Sequence, residues 1–434
     1  MQSGQTKYGT AMTLSACLWL GLFPLLQFGS YRSITGDKWL CMLVLTGITL
    51  ICFLADALTG RIARPRLYPL LFGAGLLGWT IISCLASPFP GSSWWIGTGR
   101  REGLSSRLCY LSLFFLFSAS RVRRKPVLAS AGCGALAFLA VVLFQRAGGN
   151  PFGLYPDGGG YESTPFFQGT VGNVDMCSGY LVILCGLFFP ACTGSVRKLL
   201  RPSRQDPKEK RKNILFSGVL ILALSGTLYL LATVNVASGL LALAVLLIWS
   251  AVRLLPRKVR LAVFVLLLAV LVLLVWFWPG QSGPMWEMHE ILLGRPQFSF
   301  GSGRIGVWTR SMDMLRTEGR LLTGTGADTF AARFNAFLSV WELSRPDAEY
   351  LTEYYDSPHC EYLALVSDCG IPALFCFLAL IIAGFSGAPA WRDSVLAYSI
   401  QALFSFSVCI VAPMFWVVLG LSFRAPPPES ANPD

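Results

Sequence analysis

Charge is scarce in this sequence, and so is histidine. Only 13% of the 434 residues are charged and two are histidine, whereas a soluble domain carries about 25% charged residues. The composition therefore argues against a soluble protein. Apolar runs of about 20 residues, long enough to cross a bilayer, recur along the chain. We therefore expect an all-α, polytopic integral membrane protein.

The motifs of several enzyme classes are also missing. No Walker A, GxSxG or HExxH pattern occurs, which argues against the enzyme classes that these motifs mark. None of the 13 cysteines lies in a CxxC pair, and most lie within apolar runs, where cysteine acts as a small hydrophobic residue. We therefore predict no disulfide framework, no metal site and no cofactor.

Eleven apolar stretches predict twelve transmembrane helices, with eleven helices as the alternative count. The stretch 394–423 contains Pro413 and is too long for one ordinary span, so we divide it into two short helices with a hairpin near Ala412. The first stretch lacks a small-residue cleavage site, so we expect it to be retained. The other predicted spans lie near 10–28, 39–58, 67–87, 104–120, 126–144, 173–193, 214–232, 235–252, 261–279 and 361–385.

Basic residues gather in alternate short loops, at 61–66, 121–125, 197–212 and 253–260. This is the positive-inside pattern. We therefore interpret the net charge of +12 as topology and contact with anionic membrane lipids, and not as nucleic-acid binding. The pattern predicts cytoplasmic termini. It also predicts that the loops 88–103, 145–172 and 280–358 face outward.

One long polar segment, at 280–360, interrupts the apolar pattern. It contains no lysine but seven arginines, and the planar guanidinium can bind two phosphate oxygens at once. The segment therefore suggests chemistry on a phosphate-linked lipid at a membrane face. We assign 1–424 to one membrane domain and the Pro-rich end, 425–434, to a disordered cytoplasmic tail. The arginines are Arg295, Arg304, Arg310, Arg316, Arg320, Arg333 and Arg345.

Two amphipathic helices are predicted within this segment. Ser302 can cap the first, whose apolar stripe contains Ile305, Trp308, Met312 and Leu315. The glycines at 324 and 326 end it, and a second apolar pattern follows at 328–343. We expect both helices to lie on the outer membrane surface with their apolar faces down. Arg310, Arg316 and Arg320 would then occupy the solvated face.

His359 lies where the polar segment meets the next apolar run. Ser357 suits an N-cap and Pro358 the first helical position, which would place His359 in the first turn of a membrane helix. The positive end of the helix and partial desolvation both disfavour the imidazolium. A neutral imidazole can accept a proton. The alternative is a hydrogen-bonded interfacial spacer, and Asp356 either orients His359 or adds to the helix cap.

Several arginines are candidates for binding phosphate. Arg304 opens the first amphipathic helix beside Trp308, where it either clamps a diphosphate or extends to lipid headgroups. Arg100 and Arg101 lie in a Gly-rich outward loop. Asp368 follows within the next predicted span, where a carboxylate is costly and often functional.

An ordered set of short motifs resembles the O-antigen ligase and O-antigen polymerase family. The family pattern reads roughly R-x-x-x-W, G-x-G, H-N-x-x-L, then an acidic residue and G-I-x-G. A further segment, Gly172-Asn173-Val174-Asp175, looks like the G-N-x-N of the family. The matching residues are Arg304-Ile305-Gly306-Val307-Trp308, Gly324-Thr325-Gly326, His359-Cys360-Glu361-Tyr362-Leu363 and Asp368-Cys369-Gly370-Ile371-Pro372.

The resemblance implies a glycosyltransferase of the bacterial cytoplasmic membrane with an outward-facing active site. Such enzymes take glycan from a polyprenyl-diphosphate-linked donor, invert the anomeric configuration and need no metal. His359 would be the base for the acceptor hydroxyl, and Arg304 would bind the diphosphate. Asn173 would be a structural or pocket residue, with Trp308 also in the pocket. The acceptor, whether glycan, lipid, protein or wall polymer, stays open, as does ligase versus polymerase.

Two positions depart from the family pattern. Cys360 replaces the asparagine after the histidine, and the segment 233–239 lacks the arginine of an S-R-G motif, near Val236. The resemblance implies that this arginine holds the diphosphate. Either Arg100 or Arg101 substitutes for it, or donor binding differs, or activity is reduced. The rival functions are a transporter or flippase of lipid-linked oligosaccharide and a non-catalytic scaffold for glycan assembly.

Overall fold

Helices make up almost all of the computed structural model, which describes residues 8–97, 100–200, 206–256, 258–343 and 354–423. The predicted tail at 425–434, together with Gly99 and Arg345, lies outside these residues. The helices are α1 (Thr10–Cys17), α2 (Ile34–Leu58), α3 (Leu67–Leu85), α4 (Pro90–Ser93), α5 (Leu104–Ser118), α6 (Arg124–Arg146), α7 (Val174–Leu200), α8 (Pro207–Val234), α9 (Ala237–Val252), α10 (Arg260–Trp276), α11 (Pro284–Leu292), α12 (Arg304–Glu318), α13 (Phe330–Leu343), α14 (Glu361–Phe385), α15 (Pro389–Gln401) and α16 (Ala412–Ser422).

Short irregular elements complete the described part of the chain. Helix α1 continues through a π-helical turn, Leu18–Leu22, and a 3₁₀ turn, Phe23–Leu25, and two further 3₁₀ turns span Pro151–Gly153 and Ala402–Phe404. Strand β1 (Phe167–Gln168) pairs antiparallel with β2 (Gly172–Asn173), with Phe167 opposite Asn173. This hairpin leads directly into α7.

Six of these helices are long and apolar enough to cross a membrane: α2, α3, α6, α7, α8 and α14. Five apolar segments are shorter, namely Thr10–Leu25 and helices α5, α9, α10 and α16. The segment 394–423, predicted to form two short helices, contains the end of α15 and all of α16, separated by residues 402–411. The all-α membrane class is therefore confirmed, whereas twelve spans remain a prediction.

The helices differ in how much of their surface is buried inside the protein. In α7, 83% of the most apolar window is buried, and α7 packs against α8, α9 and α15. Every residue of α16 is buried. In α10, by contrast, Val275 is the only buried residue. Apolar side chains exposed on α10 are expected in a bilayer, where lipid tails cover them.

The glycines of two predicted motifs lie against each other. Helix α14 departs from helical geometry at Gly370, where φ is 81°, and the loop after α12 docks on this kink. The amides of Thr325 and Gly326 donate to the carbonyl of Asp368 at 3.0 and 2.9 Å. A Cβ at Gly324 would overlap that carbonyl, and one at Gly370 would overlap the carbonyl of Leu322. The close approach of the two backbones therefore requires both glycines.

The amphipathic helices α12 and α13 differ from the prediction in their packing. Their apolar faces pack against each other, with Val307 and Met314 of α12 against Phe330, Phe334 and Leu338 of α13. The predicted placement with both apolar faces down on the membrane is therefore wrong. The prediction failed because periodicity identifies an apolar face but does not identify its partner.

Details of α12 also differ from the prediction. The helix begins at Arg304 with Gly303 as its N-cap, and no side chain caps it, so the predicted cap by Ser302 is wrong. Arg310 was predicted on the solvated face but is only 7% exposed. Its guanidinium carbon lies 4.5 Å from the ring centre of Phe298, because the α12 face that carries Arg310 turns toward the protein.

Candidate active site

Arg100 is held in place through its backbone. Its amide donates to the Asp328 carboxylate at 3.0 Å, and the amide of Glu102 donates to the same group at 3.2 Å. The Asp328 amide in turn donates to the Asp368 side chain at 2.9 Å. A Cβ at Gly97, where φ is 90°, would overlap the Asp328 carboxylate. These contacts fix the backbone of residues 100–102 to helix α14 and supply the partner of Asp368 that the sequence did not reveal.

The guanidinium of Arg100 pairs with Asp356 and stacks on Phe406. Its Nε and Nη2 donate to the two Asp356 oxygens at 2.7 and 2.6 Å, and its carbon lies 3.4 Å from the Phe406 ring centre. The His359 ring meets the same aromatic ring edge-on, with centroids 5.0 Å apart. Arg100 and His359 therefore both contact the Phe406 ring, although they lie far apart in the sequence.

His359 does not lie inside a helix, so the predicted first-turn position is wrong. Helix α14 begins at Glu361 with Cys360 as its N-cap, and His359 has left-handed backbone geometry with φ of 49°. The side chain of Ser357 accepts from the His359 amide at 3.3 Å, and Asp356 binds Arg100 and does not cap the helix. Strained backbone of this kind is often found at functional sites.

The charges around His359 favour its neutral form. Burial lowers the pKa of the imidazole, and the positive charges of Arg100 and Arg304 lower it further, while Asp175 and Asp356 oppose them. The two arginines and His359 therefore lie within electrostatic reach of one another. A histidine with a lowered pKa is uncharged at neutral pH and can accept a proton.

Arg304 reaches from the start of α12 toward α7. Its Nη1 donates to the Gly301 carbonyl at 3.1 Å, and its Nη2 lies 3.8 Å from an oxygen of Asp175. Its Nε is buried without a hydrogen-bond partner among the described residues. Arg304 thus keeps donor capacity for an anion that a fully paired arginine would lack.

Trp308 lies one turn after Arg304 and ties α12 to the histidine loop. Its indole N–H donates to the carbonyl of Pro358 at 2.7 Å, and its ring lies 5.9 Å from that of Phe404. This bond holds the residue before His359. The sequence predicted Trp308 as a pocket residue, and the structure gives it a positioning contact.

Asn173 and Asp175 form the start of α7. The Asn173 side chain accepts from the Asp175 amide at 2.8 Å, which is a capping contact, so Asn173 has the structural contact that was one of its two expected roles. Asp175, which approaches Arg304, was not predicted in the site. The sequence feature that could have identified Asp175 is its position, where the family pattern G-N-x-N has its second asparagine.

Arg101 points to a different part of the fold from Arg100. Its guanidinium carbon lies 5.5 Å from the ring centre of Trp39, and its Nη2 lies 3.3 Å from where a Cβ of Gly36 would be. The side chain therefore packs against the start of α2. Adjacent residues can differ in this way because Arg101 has left-handed backbone geometry, with φ of 61°.

Arg146, which the sequence did not single out, occupies the turn that lacks the expected arginine. It ends α6 and donates to the side chains of Thr233 at 2.8 Å and Gln168 at 2.7 Å. Its guanidinium lies 5.6 and 6.0 Å from the rings of Tyr161 and Tyr229. Thr233 opens the 233–239 segment, so a guanidinium from another helix reaches this turn.

One comparison with known proteins identifies the family of a region that contains three of the six predicted site residues. Residues 213–378 match the family model for O-antigen ligase. This segment belongs to the O-antigen ligase family. The match includes Arg304, Trp308 and His359 but not Arg100 or Asn173. No curated protein matches the chain.

The family assignment indicates glycan transfer of the ligase or polymerase type at a membrane, between a lipid-linked glycan and an acceptor. Within the described residues, no three His, Cys, Asp or Glu side chains are grouped so that they could hold a metal ion. The groups available for chemistry around His359 are therefore two guanidiniums, two carboxylates and the imidazole.

Proposed function

We propose that this O-antigen ligase-family protein transfers or polymerises glycan from a polyprenyl-diphosphate-linked donor onto an acceptor hydroxyl. The observation that carries the proposal is His359, whose pKa is lowered by burial and by the charges of Arg100 and Arg304. A base and cationic groups close to each other suit a reaction in which a hydroxyl loses a proton and a diphosphate leaves.

The proposed reaction is a single displacement. The acceptor hydroxyl oxygen attacks the anomeric carbon while His359 takes the hydroxyl proton, and the bond from that carbon to the diphosphate oxygen breaks. The diphosphate leaves with the bonding electrons, and attack from the opposite face inverts the configuration. No metal is required, because Arg304 stabilises the charge that develops on the leaving group.

Arg304 is the better candidate for the diphosphate than Arg100. Both Nε and Nη2 of Arg100 are already bonded to Asp356, whereas the closest carboxylate oxygen to Arg304 is 3.8 Å away. We assign Arg100 to setting the pKa of His359 and Arg304 to direct contact. Arg146 is our candidate for the role of the missing S-R-G arginine, because its buried Nε has no partner among the described residues.

The distribution of basic loops supports an outward-facing site in the bacterial cytoplasmic membrane. Helix α14 starts beside His359 and ends at Phe385, and the short connection after it leads to Arg392 in α15. The basic loops at 121–125 and 253–260 likewise lie at the helix ends away from Arg146 and Asn235. The positive-inside rule places those ends in the cytoplasm.

Buried charges favour an enzyme over a transporter. Lys38, Arg107, Glu361 and Asp368 are all buried or nearly so, but each lies within about the first two turns of its helix, at the end that carries His359. A transport path would place ionisable groups near the middle of the bilayer.

The proposed function can be tested with detergent-solubilised protein. The protein is incubated with a polyprenyl-diphosphate-linked glycan as donor and envelope extract as acceptor. Glycan transfer on a gel is the expected result. A transporter or scaffold gives no product there, because no membrane separates two compartments, and such an outcome would reject the proposal.

The proposal predicts an unusual pH profile. Since the pKa of His359 is lowered from its ordinary value of 6.5, transfer should persist below that pH and fall only when the imidazole is protonated. Arg100→Gln removes a positive charge that lowers the pKa, so the acid limb should move to higher pH. Transfer rates between about pH 5 and 8 measure this shift. If the acidic side of the pH–rate profile is the same in Arg100→Gln as in wild type, Arg100 does not lower the pKa of His359.

Gly97→Ala should reduce transfer about tenfold or more. The added Cβ would overlap Asp328, and φ of 90° disfavours alanine, at a cost of about 1–2 kcal/mol for the backbone alone. The Arg100 loop must then shift. Gly91→Ala, in α4 of the same loop region, is the matched control, because a Cβ there meets nothing within 4 Å. If the two variants are equally active, the close contact of Gly97 with Asp328 does not position Arg100 for transfer.

A further inference from the structure

A second group of charges lies at the opposite helix ends from His359. Four arginines come together there from four helix ends or adjoining turns: Arg124 begins α6, Arg253 follows α9, Arg260 begins α10 and Arg392 lies in the first turn of α15. We call this group the four-arginine cluster. It lies outside the site described above, and the proposed reaction does not use it.

Within the part of the chain that the structure describes, one carboxylate lies among these arginines. Asp393 is completely buried, and one of its oxygens lies 2.6 Å from Nη2 of Arg253. The Nε of Arg392 lies 3.7 Å from the other oxygen, and the charge of Arg124 also interacts with Asp393. Arg260 and Arg253 both repel Arg392. Four positive charges and one negative charge leave the cluster strongly cationic.

Several guanidinium N–H groups of the cluster are buried without a partner. Within the described residues, Nε and Nη2 of Arg124, Nε of Arg253 and Nε of Arg392 have no hydrogen-bond acceptor. Buried donors are nearly always hydrogen-bonded in proteins. Both Asp393 oxygens also have no hydrogen-bond partner among these residues, but one carboxylate cannot balance four guanidiniums. Unpaired donors from three elements, beside an excess of positive charge, suit an anionic acceptor with several oxygens, and phosphate fits this description.

The surroundings indicate that this phosphate belongs to a lipid. The Trp249 ring lies 5.8 Å from the Arg392 guanidinium and 5.6 Å from the Phe264 ring, as in the aromatic belts of membrane proteins. Leu254 and Leu261, on either side of the turn that joins α9 to α10, are each 72% exposed. Apolar surface beside a cationic pocket suits acyl chains below a headgroup.

We propose that the four-arginine cluster binds the phosphate of an anionic phospholipid headgroup in the leaflet at this end of the helices. Basic pockets between membrane helices are known to bind such headgroups. The bound phosphate would satisfy the unpaired guanidinium donors and link α6, α9 and α15.

Native mass spectrometry of the purified full-length protein tests the site. Wild type is titrated in detergent with phosphatidylglycerol or phosphatidylcholine, and the bound lipid is counted. We expect tighter binding of phosphatidylglycerol, and about tenfold weaker binding in Arg392→Gln and in Arg124→Gln, as for loss of one charge-assisted hydrogen bond. Asp393→Asn removes the competing carboxylate and should bind the lipid more tightly.

Lys125→Gln is the matched control, because Lys125 is exposed and follows Arg124 directly. It should bind phosphatidylglycerol as wild type does. A thermal melt of each lipid-free variant reports whether it is folded, and the two arginine variants give independent readings. Equal binding by wild type and both arginine variants would overturn the proposal. Displacement of phosphatidylglycerol by an equal concentration of inorganic phosphate would overturn the assignment to lipid.

Discussion

His359→Asn should abolish most glycan transfer, with a loss of about 10²- to 10⁴-fold, the usual contribution of a general base. Asparagine tolerates the left-handed geometry at this position, where φ is 49°, so the loop can keep its conformation. Its amide, however, cannot take up a proton at neutral pH. Transfer by the detergent-solubilised variant, beside its thermal melt, separates lost chemistry from lost folding.

His289→Asn is the matched control for this substitution. His289 is the only other histidine; it lies in α11 and its Nδ1 is 3.1 Å from the carbonyl of Val275. This variant should transfer glycan at nearly the wild-type rate. If His359→Asn is as active as His289→Asn, His359 is not the base, and the proposed mechanism is rejected at this step.

Hydrophobic runs and short motifs predicted a large part of this fold. Apolar stretches gave the membrane class because a bilayer demands helices with internally satisfied backbones. The 304–318 and 330–343 helices followed from their apolar spacing. The faces that they bury did not follow, because α12 and α13 pack on each other through Val307 and Phe334, and periodicity alone cannot distinguish a protein partner from a membrane surface.

The start of α14 shows how tertiary contacts override a local signal. Ser357-Pro358 is typical of a helix start, yet the helix begins at Glu361. The Pro358 carbonyl accepts from Trp308, and Arg100 binds Asp356 through two hydrogen bonds. Both partners come from distant parts of the chain and draw the segment before His359 toward the site.

Residues of the candidate site differ in how far sequence could identify them. His359 and Arg304 fall in family motifs, and the structure places them within electrostatic reach. Arg100 and Asp328 are 228 residues apart, and Phe406 lies in a loop without any motif. No local pattern predicts such contacts, because they arise only when helices from different parts of the chain pack together.

Arg304→Gln should lower transfer by about 10²- to 10³-fold, the effect of removing one group that stabilises a transition-state charge. Glutamine keeps part of the length and polarity of arginine but has no charge. The structural penalty should be small, because among the described residues the Arg304 side chain donates one hydrogen bond, to the Gly301 carbonyl. The rate at saturating donor should fall more than the apparent donor affinity if the contact strengthens as the diphosphate leaves.

Two further variants make the test of Arg304 specific. Arg316→Gln removes an equal charge from the same helix, but its side chain is 71% exposed, so transfer should be unchanged. Asp175→Asn removes the carboxylate 3.8 Å from Arg304 and restores the second asparagine of the family pattern. That variant should stay active and bind donor at least as tightly, because Arg304 gains freedom to contact the diphosphate. Loss of activity in Arg316→Gln equal to that in Arg304→Gln would point to a general effect of charge and would remove Arg304 from the proposed mechanism.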